Sequence, residues 1–196
     1  MNIFLFGETN TTAQNLKNLV FKSDKNFLLY SCSRNKGDVY IDLEKPSTFK
    51  NLNLKNSSVL ISFAPIWKFT KFLKEVNLLD NQFLKKIDFM IVCSSSSIES
   101  KRFAANIFDK NLFYKLKKSE DTLSELCDQH KIKLKIIRPT LIYGNYGLFK
   151  DKNFNKIKNF LNIFPVIIFP KNSGLRQPIH CSELAELFFY LLNNLN

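Results

Sequence analysis

Three groups of residues have types and spacing that suit chemistry. Tyr114-Lys115-Leu116-Lys117-Lys118 sets a phenol and an ammonium four residues apart, on one face of a helix. On one face, the two can meet the same ligand group. With six tyrosines and many lysines, one such pair also arises by chance about as often as not. The bland alternative is an amphipathic helix with a basic, solvated face. Ser94, Ser95, Ser96 and Ser97 follow an apolar run, either as hydroxyl donors or as a polar strand-end loop. Gly7-Glu8-Thr9-Asn10-Thr11-Thr12-Ala13 follows another apolar run and opens a helix. A helix N-terminus presents backbone N–H groups to a phosphate, although the same stretch also reads as an ordinary strand–turn–helix.

The elements that must position these groups alternate strand and helix. Asn2 to Phe6 reads as a strand and Thr11 to Phe21 as a helix, with Leu16, Leu19 and Val20 at helical spacing. Further strands are expected at Phe27 to Ser31, Val39 to Ile41, Ser58 to Phe63, Phe89 to Cys93, Leu134 to Ile137 and, shorter, Val166 to Phe169. Helices are expected at Trp67 to Val76, within Lys110 to His130, at Phe154 to Asn162 and at Ser182 to Leu195. Most strands are near-continuous apolar runs, as burial on both faces requires. Such alternation implies an α/β fold, a parallel sheet covered by helices on both faces. Right-handed crossovers then give the doubly wound, Rossmann-type order, with ligands at the carboxyl ends of the strands. No linker, repeat or low-complexity tract is visible, so residues 1–196 read as one domain.

Composition narrows the classes. The hydrophobic share is 45% and the charged share 23%, both ordinary for a globular protein. No apolar run reaches the roughly 18 residues of a membrane-spanning helix. The N-terminus lacks a basic region and a small-residue cleavage site, which predicts no signal peptide and a cytoplasmic location. The net charge of +12 could serve an anionic partner, and would favour a diphosphate-bearing ligand. The lysines are scattered, however, with no compact basic run and no nucleic-acid signature, so neither nucleic acid nor membrane is an expected partner. No two of Cys32, Cys93, Cys127 and Cys181 lie closer than 34 residues, so no metal-type pair exists and buried, reduced thiols are expected.

Ile137-Arg138-Pro139-Thr140-Leu141-Ile142-Tyr143-Gly144 follows the sixth strand, and Arg176-Gln177-Pro178-Ile179-His180-Cys181-Ser182-Glu183-Leu184-Ala185 opens the last helix. A strand ending in Arg-Pro-Thr, then Ile-Tyr-Gly, then Pro-Ile-His before a helix, resembles the extended short-chain dehydrogenase/reductases. More narrowly, it resembles the NAD-dependent epimerase/dehydratases that act on nucleotide-sugars. The resemblance runs over nearly the whole chain, with its specific motifs in the last third. Extended members usually continue further, so the resemblance implies a reduced C-terminal substrate lobe after about residue 145.

The resemblance implies NAD or NADP as cofactor and a nucleotide-sugar substrate. In the family's Gly-x-x-Gly-x-x-Gly pattern the three positions here hold Gly7, Asn10 and Ala13. Gly7 would supply the tight turn, Asn10 would tolerate a positive φ, and Ala13 would let helix and strand approach. Thr9, Asn10 and Thr11 would face the pyrophosphate. Arg34 would face the adenosine ribose and suit a 2′-phosphate. Asp42 and Leu43 would approach the adenine, Ala64 and Pro65 would let the cofactor backbone pass, and Pro139 would pack on the nicotinamide.

For catalysis the resemblance implies Ser96, with Ser95 next by position, together with Tyr114 and Lys118. The Tyr exchanges a proton with the substrate hydroxyl as hydride moves, the Lys lowers its pKa, and the Ser orients the oxygen. Asp151 and Asn153 resemble the opening of a helix lining the sugar-nucleotide pocket; Asp151 also reads as a plain helix cap. Arg176, Gln177 and His180 match a segment near the substrate phosphates. Many members pair as homodimers through the two long middle helices, and Phe108, Leu112 and Phe113 suit either core or interface. The alternative is a non-catalytic Rossmann protein that binds a dinucleotide or a protein partner, whose mark would be a Tyr114 and Lys118 pointing away from the cleft.

Overall fold

A computed structural model of the chain describes residues 1–35, 37–55, 57–151, 153–166 and 177–195, with Asn153 described in its backbone only. The expected strand at 166–169 lies almost wholly outside these residues, and so does Arg176.

Strands β1 (Asn2–Phe6), β2 (Leu28–Ser33), β3 (Val39–Tyr40), β4 (Ser58–Ser62), β5 (Ile87–Cys93) and β6 (Lys133–Ile137) form one parallel sheet in the order β3-β2-β1-β4-β5-β6. This is the doubly wound order, and its direction reverses between β1 and β4. Helices α1 (Thr11–Phe21), α2 (Ile66–Leu79), α3 (Ser97–Ser100), α4 (Ile107–His130), α5 (Asn153–Ile163) and α6 (Cys181–Asn193) connect and follow these strands, with 3-10 turns at Pro46–Asn51 and Leu84–Lys86.

Strand alternation divides the core. Phe4 and Phe6 of β1 point to the face covered by α2 and α4, where they meet Phe69, Phe72, Leu116 and Leu123. Ile3 and Leu5 point to the opposite face, covered by α1 and α6, with Leu16, Leu184 and Phe188. The aromatic rings carry much of this packing: Phe6 and Phe69 lie 5.1 Å apart and Phe63 and Phe188 4.4 Å apart, centroid to centroid. Full burial of each such side chain contributes about 1.5–3 kcal/mol. Leu112 and Phe113 pack against the α2–α4 core, whereas Phe108 is 83% exposed.

Two short strands were not anticipated. β7 (Ile142–Tyr143) and β8 (Ile179–His180) pair in parallel, Ile142 with Ile179 and Tyr143 with His180. They bring the Ile-Tyr-Gly and Pro-Ile-His segments together, although some thirty-five residues separate them in the chain. Gly144, at φ +111°, is required there: a Cβ would stand 2.4 Å from His180 Nε2. This pair and α5 are the regular elements described between β6 and α6. No helix among them is long and apolar enough to cross a membrane. All four cysteines are free, and burial pushes the Cys93 thiol up to about 12.

Candidate functional site

The reversal of strand order leaves a crevice at the carboxyl ends of β1, β2 and β4. Gly7 leaves β1 at φ +83°, and a Cβ there would stand 2.5 Å from Ala64 N and 2.6 Å from Phe63 C. Only a glycine lets the two strand ends pass this closely. The crevice has a volume of about 740 Å³, and seven of the expected cofactor residues line it: Gly7, Thr9, Arg34, Asp42, Leu43, Ala64 and Pro65.

The helix N-terminus beside it is built differently from expectation. Asn10 has extended backbone, φ −81° and ψ 138°, rather than a positive φ. It is the N-cap of α1, and its side-chain oxygen accepts the Thr12 N–H at 2.8 Å. The cap supplies the reason for asparagine here, and the turn is made by Gly7 alone. Thr11 is buried at the first position of the helix, and Ala13 is fully buried against β1 and β4.

The adenosine side of the crevice rests on the β2–β3 loop. Asp38 accepts both the Ser31 N–H and the Ser31 hydroxyl at 2.7 Å. Those hydrogen bonds hold its carboxyl below the usual carboxylate range and pin the loop that carries Arg34 and Asn35. Asp42 is buried and accepts the Glu44 N–H at 3.0 Å. Glu44 and Lys68, neither expected from sequence, also line the crevice and form an ion pair at 2.6 Å. From the segment after β7 come Leu148 and Phe149, presented by a turn in which Tyr146 and Phe149 exchange backbone hydrogen bonds.

At the β5–β6 end the serine loop is stitched to the Arg-Pro segment. Ser94 N–H donates to Ile137 O at 2.7 Å, and Ser96 N–H donates to the carbonyl of buried Pro139 at 2.9 Å. The structure therefore brings together Ser96 and Pro139. It also reveals a network that sequence reasoning passed over. The Ser94 hydroxyl donates to Glu120, which is 3% exposed, and Arg138 donates to both Glu120 oxygens, Nε at 3.2 and 3.1 Å and one terminal nitrogen at 2.5 Å. The other terminal nitrogen of Arg138 reaches Glu99 at 2.8 Å. The signal was present: Glu120 interrupts the apolar stripe Leu116, Leu123 and Cys127 at helical spacing, where an unpaired carboxylate would be costly.

Tyr114 and Lys118 are not brought to this network. Helix α4 buries Leu116, Ser119, Glu120, Leu123, Leu126 and Cys127. Tyr114 lies nine residues before Leu123, or about 180° around the helix, and Lys118 lies on the same outer side. Tyr114 is 65% exposed and its ring packs edge-on to Phe113, centroids 5.3 Å apart; Lys118 is exposed as well.

On the expected substrate side, Asp151 caps α5, its carboxylate accepting the Phe154 N–H at 2.7 Å. Asn153 begins that helix. Gln177 is exposed, and its carbonyl accepts the Thr140 hydroxyl. His180 is the N-cap of α6: its Nδ1 accepts the Ser182 N–H at 3.3 Å while Glu183 accepts the His180 N–H at 3.1 Å. Its ring lies edge-on to Tyr143, centroids 5.1 Å apart.

No family profile and no curated protein matches the sequence. Solved structures do match. Yeast methylglyoxal/isovaleraldehyde reductase Gre2, complexed with NADPH, is 12% identical with a TM-score of 0.72, over 98% of this chain and 74% of that one. A UDP-glucuronic acid 4-epimerase variant from Bacillus cereus, in complex with a fluorinated UDP-sugar and NAD, is 17% identical with a TM-score of 0.66, over 98% and 73%. A GDP-D-glycero-L-gluco-heptose synthase from Campylobacter jejuni, with NADPH, is 15% identical with a TM-score of 0.64, over 100% and 74%. At such identities the likeness is one of architecture: this chain has the Rossmann-type, doubly wound fold shared by these NAD(P)-binding epimerases and reductases.

Proposed function

We propose that this protein binds an NAD(P) dinucleotide in the crevice at the carboxyl ends of β1, β2 and β4, as a protein of the epimerase/reductase kind. The observation that carries this reading is the cradle at Gly7. A β-carbon would fill the space where β1 and β4 pass, and the crevice beside it is lined by seven of the residues expected to touch the cofactor. Thr9, Asn10 and Thr11 would offer the start of α1 to the pyrophosphate, Arg34 would meet the adenosine ribose, and Asp42 and Leu43 would meet the adenine. Ala64 and Pro65 leave room for the dinucleotide backbone, and Pro139 would border the nicotinamide.

A nicotinamide bound there supplies hydride exchange at a sugar hydroxyl or keto carbon. In this reading a nucleotide-sugar is the substrate, met by Asp151, Asn153, Arg176 and Gln177, with Ser96 orienting its oxygen. Proton transfer by Tyr114 with Lys118 requires both in the crevice, and both stand on the solvent side of α4. That observation favours a second reading, a dinucleotide-binding Rossmann protein without hydride chemistry through this pair. Exposed Ile107 and Phe108, at the start of α4, suit pairing as a homodimer in either reading.

A screen of nucleotide-sugars with NADH or NADPH, following nicotinamide absorbance, separates the two readings. Turnover supports the epimerase/reductase reading, and saturable cofactor binding without turnover on any sugar supports the second.

A further inference from the structure

The adenosine end of the crevice carries its own anion. Glu44 follows the buried Asp42 in the turn after β3 and is held there by its N–H to the Asp42 carboxylate. Its carboxylate lies 2.6 Å from Lys68 Nζ at the start of α2. Arg34 lines the same part of the crevice from the end of β2, near enough to act on Glu44 through its charge. The hydrogen bond from Lys68, then the Lys68 charge, hold the Glu44 carboxyl below the usual range, so it is ionised at neutral pH. Two cations, Arg34 and Lys68, thus share with the exposed Glu44 carboxylate and the buried Asp42 carboxylate the wall that an adenosine ribose would face.

We propose that Glu44 is a specificity-determining residue of this crevice, an internal counter-anion that occupies Lys68 and partly neutralises Arg34. A dinucleotide bearing a 2′-phosphate must then take Lys68 away from Glu44 and tolerate the carboxylate beside its dianion. A dinucleotide with a free 2′-hydroxyl meets no such conflict. Glu44 therefore shifts the preference of the crevice toward NAD, against the pull of Arg34 and Lys68 toward NADP. This inference rests on the dinucleotide reading above. Glu44 is exposed and packs on nothing in the core, so its replacement changes the charge of the wall without disturbing the fold.

The test is a fluorescence titration of wild-type protein, Glu44→Gln and Lys68→Gln with NADPH and with NADH, at low and at high salt. Removing one charge several ångströms from a phosphate dianion should tighten NADPH binding by about tenfold. NADH affinity should change less than about twofold, because its 2′-hydroxyl carries no charge for Glu44 to oppose. Lys68→Gln should weaken NADPH selectively, and the NADPH gain in Glu44→Gln should shrink at high salt. Binding of both dinucleotides with an NADPH-to-NADH ratio unchanged by Glu44→Gln overturns this inference and leaves the dinucleotide reading standing. Absence of binding of either dinucleotide to all three proteins overturns both.

Discussion

Arg138 grips both carboxylate oxygens of Glu120, and this pair sets the rotation of α4. Glu120 is turned to the ends of β5 and β6, where the Ser94 hydroxyl also donates to it. Tyr114, six residues earlier, is consequently about 120° around the helix, in solvent. The same pair that anchors α4 to the sheet thus carries the phenol away from the serines.

Arg138→Ala should destabilise the protein by about 2 kcal/mol, because it leaves a nearly buried carboxylate without its cation; partial exposure of Arg138 keeps the cost below that of a fully buried pair. Equilibrium urea unfolding measures it. A change within about 0.5 kcal/mol, the usual range of surface substitutions, would show that Glu120 finds equivalent partners elsewhere.

Tyr114→Phe distinguishes the helix position from the sequence motif. Spacing alone predicts loss of turnover with cofactor binding kept. The exposed phenol predicts that both cofactor affinity and any turnover stay within about twofold of wild type. Steady-state kinetics with a turned-over nucleotide-sugar decide between them, and a loss of kcat with unchanged binding would return Tyr114 to the mechanism.

The loop that carries Arg34 should have a pH signature. The Asp38 carboxyl is held below its unfolded value by the Ser31 hydroxyl and N–H. Its contribution is therefore complete above the ordinary carboxylate range of about 4, and is lost as pH falls through the lower folded value. Asp38→Asn should cost about 0.5 kcal/mol at neutral pH, a small figure because solvent reaches the carboxylate. The gap between variant and wild type, read from urea midpoints, should close in strong acid. A gap independent of pH would mean that the charge of Asp38 is not what holds the loop.

Much of the fold is legible in the sequence because buried parallel strands must be apolar on both faces. Asn2 to Phe6 and Ser58 to Phe63 announce themselves as continuous runs, and the observed β1 and β4 fall within them. Motifs are less readable. Ile-Tyr-Gly and Pro-Ile-His carry the resemblance, yet what they do in the structure is pair as β7 and β8 and close Gly144 over His180. Pairing between distant two-residue strands leaves no periodic signal. Asn10 fits a glycine position by its tolerance of positive φ and is in fact an N-cap, a role that the same short polar side chain serves equally well. The Lys68–Glu44 pair was invisible because it joins the turn after β3 to the start of α2, 24 residues apart. The rotation of α4 depends on Glu120, whose partner Arg138 lies just beyond the end of β6, eighteen residues on.

The most direct measurement is a fluorescence titration of NADPH and NADH against wild-type protein and Gly7→Ala, with circular dichroism to confirm that both are folded. A β-carbon at Gly7 would have to displace the backbone at Ala64, so the wall of the crevice must shift. The account predicts saturable binding of at least one dinucleotide to the wild type, weakened by at least tenfold in a folded Gly7→Ala. A wild-type protein that binds neither dinucleotide, or a folded Gly7→Ala that binds as tightly, would contradict it.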